Sequence, residues 1–126
     1  MGDMIVDEWL RYADNDLRVA HILSDHPPLQ VEIICYHCQQ ASEKALKAFL
    51  LFSGCEPPKT HSLESLVRLC GEVADGFDDI VADCEYLNPY SVTPRYPFGL
   101  EIVGEDAAAA VQRCERIIGF IRNRIV

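Results

Sequence analysis

Cys35 and Cys38 are separated by two residues, Tyr36 and His37, and thiols at that spacing make half of a zinc site or a dithiol redox centre. The residues that follow, QQASEKALKAFL, have the apolar spacing of an amphipathic helix, and on a helix the two thiols lie one turn apart on the face that carries Ile34, Ala41 and Ala45. Zinc would need two more ligands converging there. Cys55, His61 and Cys70 are available, but no second CxxC or HxxxH spacing accompanies them. A redox pair normally places its first cysteine exposed at a helix N-terminus, whereas these lie inside the helix. Both are therefore read as small buried hydrophobic thiols, with no metal and no cofactor expected. His37 is carried round the helix, away from the pair and toward Gln40, Lys44 and Leu51. Gln39, Gln40, Glu43, Lys44 and Lys47 crowd a polar face, which is either a site or a solvated surface with a Glu43–Lys47 pair on it.

Several classes of protein are excluded by what surrounds these residues. A chain of 126 residues makes one domain, 1–126, long enough to bury a core without metal or disulfide staples. The opening MGDMIVDEWLRYADND has no basic region followed by an apolar block, and no later segment approaches a membrane span, so a soluble, cytoplasmic protein is expected, with no membrane partner. Six cysteines, at 35, 38, 55, 70, 84 and 114, fall mostly within helical patterns and are read as reduced. The net charge of −9 opposes indiscriminate binding to phosphate backbones, so any nucleic-acid contact must come from a local basic patch.

The elements that position these residues are helices, because the apolar residues recur at three and four rather than alternating. The first covers about 3–25, with Trp9, Ala13, Leu17, Ala20 and Leu23 in one stripe and Asp3 as its N-cap. About 30–53 forms the second, whose inward face runs from Val31 through Cys35, Cys38, Ala41, Ala45 and Phe49 to Phe52, with Ser53-Gly54 as its stop. A shorter helix begins near Leu63, capped by Thr60, His61 or Ser62, and a second short one covers about 77–88. The segment NPYSVTPRYPFG cannot continue a helix and is expected as an ordered loop over the bundle. The last long helix carries Ala107, Ala110, Val111, Cys114, Ile117, Ile118, Ile121 and Ile125, with Glu105 and Asp106 at its start and arginines at its end. The expected fold is all-α: an up-and-down bundle of four to five helices, three long and two short.

In order along the chain, WLRYADNDLRVAHIL, CYHCQQASEKALKAFLL, KTHSLESLVRL and PRYP resemble the HEPN family, the "higher eukaryotes and prokaryotes nucleotide-binding" domains, over about residues 6–125. The resemblance implies a helical bundle, commonly a homodimer, often encoded beside a minimal nucleotidyltransferase in a toxin–antitoxin-like pair. Many such domains are metal-independent ribonucleases with an Arg-x4–6-His motif, in which arginine stabilises the phosphate and histidine carries the proton. Here the histidines are 21, 26, 37 and 61, and the nearest approach, Arg18 to His26, has seven residues between. Binding is therefore expected ahead of cleavage.

For a nucleotide, the loop offers Arg95 as a guanidinium for phosphate and Tyr96 as a ring for base stacking, unless Tyr96 packs on the bundle and Arg95 pairs with a carboxylate. Lys44 and Lys47 add positive charge if the loop folds over the second helix. His61 lies beside backbone N–H donors suited to an anion, or else serves as a cap or at the core edge. Arg113, Arg116, Arg122 and Arg124 could hold an anion, without a histidine beside them. The expected protein is a nucleotide-binding or nucleotidyltransferase-partner component. The alternatives are a ribonuclease using Arg95 and His61, with RNA as ligand, and a purely structural dimerisation module. A tyrosine modified by the partner is conceivable in such a pair, but the motif that would identify the acceptor is absent.

Overall fold

The computed structural model describes residues 2–91 and 103–125. Five α-helices follow one another: α1 Gly2–Ser24, α2 Val31–Phe52, α3 Leu63–Val73, α4 Val81–Leu87 and α5 Gly104–Arg124. A 3-10 turn, Phe77–Ile80, leads into α4, and another, Asn88–Ser91, follows it. No strand occurs among the described residues, and the three long and two short helices of the expected bundle are all present. Because α1 begins at Gly2, Asp3 lies inside the helix rather than capping it.

α1 and α2 pack along each other as an antiparallel hairpin, joined through a segment containing a cis Pro27–Pro28 bond. α5 packs against α2, α1 and α4, while α3 closes the other flank of α2. Surrounded in this way, α2 is buried almost all round from Ala41 to Leu50. This corrects the reading of a solvated polar face, since Gln39, Ser42, Glu43 and Lys47 are all buried. Phe52 departs in the opposite direction, 42% exposed at the end of the helix where its neighbours run out.

Ser62 is the cap of α3, its side chain accepting from Ser65 N at 3.1 Å. The segment that begins NPYS was expected as loop from its first residue, but Asn88–Ser91 forms a separate 3-10 turn after α4. Proline tolerates a start of this kind, where its missing N–H has no partner to lose. At the far end, Asp106 reaches back to Val103 N at 2.9 Å and ties down the first turn of α5. The remainder of the loop, with Arg95 and Tyr96, lies outside the described residues.

Candidate functional site: two carboxylates that each hold a lysine and a histidine

Glu43 sits between α2 and the entry to α3. Its Oε2 pairs with Lys47 Nζ at 3.0 Å, one helical turn on, and its Oε1 with His61 Nδ1 at 2.9 Å. The carboxylate is almost fully buried, while the His61 side chain is 73% exposed. A carboxylate oxygen accepts, so the contact selects the tautomer with the hydrogen on His61 Nδ1, in which the lone pair lies at the outward Nε2. The main chain at this point is fixed too, because Gln39 Nε2 donates to His61 O at 2.8 Å and Gln40 Nε2 to Gln39 Oε1 at 2.9 Å. His61 is thus held by α2 at both its backbone and its ring.

Helix α3 does not offer the row of free N–H donors expected beside His61. Ser62 N donates to Thr60 Oγ1, Leu63 N to Asn88 Oδ1 at 2.8 Å, and Ser65 N to the Ser62 side chain. Caps from within the chain take the places an anion would occupy.

The second carboxylate, Asp16 of α1, holds His37 Nδ1 at 2.9 Å through Oδ1 and Lys44 Nζ at 2.5 Å through Oδ2. All three side chains are largely buried between α1 and α2, and Lys47 Nζ lies 5.9 Å from the centre of the Trp9 ring. Lys44 and Lys47 are therefore drawn into neutralising pairs with different carboxylates rather than forming one positive patch. Asp16 and Trp9 could not be found from α2 alone, because their register against it is set by the hairpin.

The four C-terminal arginines are also engaged. Arg113 and Arg116 share the buried Asp83, at 3.3 and 3.1 Å, and the Arg113 guanidinium lies 5.0 Å from the centre of the Tyr86 ring. Arg122 pairs with Asp14. Arg124 donates to Asp75 O at 2.6 Å and covers the Phe120 ring at 4.5 Å.

Cys35 and Cys38 are fully buried, as read from their helical face. Burial, with Asp106 and Glu32 nearby, pushes the Cys35 thiol up to about 12. Cys38 is also raised, through its hydrogen bond with Cys114 and through burial. Neither thiol has the environment that makes a thiolate available. Among the described residues no group of three or more His, Cys, Asp or Glu side chains is arranged to hold a metal ion, and no helix is long and apolar enough to cross a membrane.

Comparison with known proteins bears on what this arrangement serves. No curated protein matches the chain. Two crystal structures are similar along almost their whole length. ST0689, described as an archaeal HEPN homologue, is 25% identical with a TM-score of 0.75, the match covering 96% of this chain and 98% of that one. TT1696 from Thermus thermophilus is 26% identical with a TM-score of 0.81, over 94% and 96%. The sequence profile of the HEPN domain matches residues 6–124, and the chain belongs to the HEPN domain family.

Proposed function

We propose that this HEPN domain is the binding component of a two-component, toxin–antitoxin-like module, and that it receives a nucleotide, or the nucleotidyltransferase that handles one, on the face carrying His61. The observation that supports this reading is the pairing of His61 with Glu43, which directs an exposed imidazole edge outward from a rigid base. Taking up a proton at Nε2, an imidazole held in this way donates to a phosphate oxygen with little orientational freedom to lose. Lys47 contributes indirectly, by holding Glu43, while Lys44 is taken up by Asp16 between α1 and α2. Arg95 and Tyr96, seven and eight residues beyond Asn88, are the loop residues assigned to phosphate and base.

Calorimetric titration with ATP, GTP, CTP and UTP tests this directly. Saturable binding is expected, weakened about tenfold, or ~1.4 kcal/mol, in His61→Ala and in Arg95→Ala, as for the loss of one charge-assisted hydrogen bond. No saturable heat at millimolar nucleotide, together with failure to co-purify a neighbouring nucleotidyltransferase, would remove the reading.

The same Glu43–His61 pair supports a second reading, ribonuclease action with His61 as proton carrier and Arg95 on the phosphate, since a buried carboxylate behind a histidine is how such a base is oriented. Metal-independent RNA cleavage that is lost in both Arg95→Ala and His61→Ala would establish it, and cleavage surviving both would exclude it. For assembly, Ile5, Trp9 and Tyr12 line one hollow on α1, and Ile5 and Tyr12 are exposed there. We assign this strip to a homodimer seam. Light scattering that gives a strictly monomeric mass at high concentration would refute the assignment.

A further inference from the structure

We propose that His61 is a modification site: its Nε2 is the nucleophile that accepts a phosphoryl group from an activated phosphoryl donor. The proposal rests on the reading that the His61 face meets phosphate, and it goes further by giving the ring a covalent role. A carboxylate-anchored imidazole has three common uses. As a metal ligand it needs companions, and no metal-holding cluster occurs among the described residues. Acid–base catalysis, the second reading above, would need a bound substrate to close the site, because the His61 side chain is 73% exposed. Accepting a group from a donor brought by another molecule requires the opposite, a protruding nitrogen whose lone pair is fixed in direction.

The other histidines show how specific the arrangement is. His37 has the same carboxylate support from Asp16, but its side chain is only 26% exposed. His26 is exposed, yet its Nδ1 is bonded to a neutral carbonyl, Ile22 O, at 2.7 Å. His21 faces its carboxylate, Glu115, through Nε2 at 3.6 Å, so the nitrogen that would react points at an anion instead of away from it. Only His61 among the four combines an exposed ring, a buried carboxylate on Nδ1 and an Nε2 directed away from that carboxylate.

With phosphoramidate as donor the step balances as follows. The Nε2 lone pair forms the new N–P bond, and the P–N bond of the donor breaks. Ammonia leaves with the electron pair of that bond, already carrying its protons. The positive charge that develops on the ring is met by Glu43 through the Nδ1–H, and Lys47 keeps Glu43 in place. Glu43 is thus a positioning residue.

The test is to treat the full chain with potassium phosphoramidate, map the acid-labile phosphoryl group on all four histidines by mass spectrometry, and assign the ring nitrogen by phosphorus NMR. The expected result is label on His61 at Nε2, accumulating about tenfold faster than on His21 or His26, the low end of what a carboxylate partner is worth to an imidazole. Glu43→Gln should bring His61 down to the rate of His26. The wild-type map decides the matter even if that variant folds poorly. Label spread evenly over His21, His26 and His61, or label at His61 Nδ1, would overturn the proposal. Selective labelling without nucleotide binding would leave the acceptor standing and remove the nucleotide reading. Nucleotide binding without selective labelling would do the reverse.

Discussion

Glu43 and Lys47 are four residues apart on α2, with side chains 6% and 10% exposed and 3.0 Å between their charged atoms, so each is the other's compensation for burial. Removing one partner of a buried pair leaves an unpaired charge away from water and costs about 3–5 kcal/mol. Glu43→Gln is therefore expected to lose stability on that scale, read from the urea midpoint. The double change Glu43→Gln/Lys47→Met should recover most of it. Glutamine can still accept the His61 Nδ1–H, and methionine keeps an unbranched apolar stem near Trp9 without a charge to satisfy. If the double variant is no more stable than the single one, the cost does not come from the stranded lysine.

At the scale of elements, the turn between α3 and α4 is set by Gly76, whose φ of +93° is unfavourable for any residue with a Cβ. A Cβ at this position would overlap an Arg124 guanidinium nitrogen. The arginine would have to swing away, losing its bond to Asp75 O and its place over Phe120. Gly54, at the end of α2, has a similar φ of +83° with nothing within 4 Å of such a Cβ. Gly54→Ala should thus cost only the left-handed strain, about 1 kcal/mol, and Gly76→Ala about 2–3 kcal/mol, the excess reporting the Arg124 clamp. Equal losses in thermal melts would show that the clamp adds nothing. The helices themselves were legible in the sequence, because the stripes of α1, α2 and α5 repeat at the helical period and the inward faces expected for α2 and α5 are buried except near their ends. Periodicity could not show that α2 is central. Gln39, Glu43 and Lys47 look like a wet face until α1 and the His61 segment, each far away in sequence, close over them. His61 was legible as a candidate, but its carboxylate was not. Asn88 as a partner for Leu63 N was equally hidden, since a bond across twenty-five residues leaves no local signal.

Over the whole molecule, the cysteines report how cooperatively these elements hold together. All six are free; five are buried and Cys55 is half-buried. The buried ones are distributed over α2, α3, α4 and α5, and they make contacts between helices: Cys38 with Cys114, and Cys70 Sγ donating to Leu46 O at 3.7 Å. A thiol reagent should therefore label Cys55 first in the native protein. The other five should follow together, at the rate of global opening. Early labelling of Cys70 or Cys84 alone would instead reveal that α3 and α4 open separately from the hairpin. The same burial fixes the response to alkali. Cys35, Cys70 and Cys84 are each raised from 9.0 to about 12, chiefly by desolvation. Between those values the unfolded chain has lost protons that the native chain keeps, so stability must fall as pH rises, by up to ~1.4 kcal/mol per unit for each thiol. Urea midpoints should accordingly drop between about pH 8 and pH 10.5. Replacing Cys70 and Cys84 with alanine should flatten that dependence even though it lowers stability at neutral pH. A slope unchanged by the replacements would mean that other groups govern the alkaline transition.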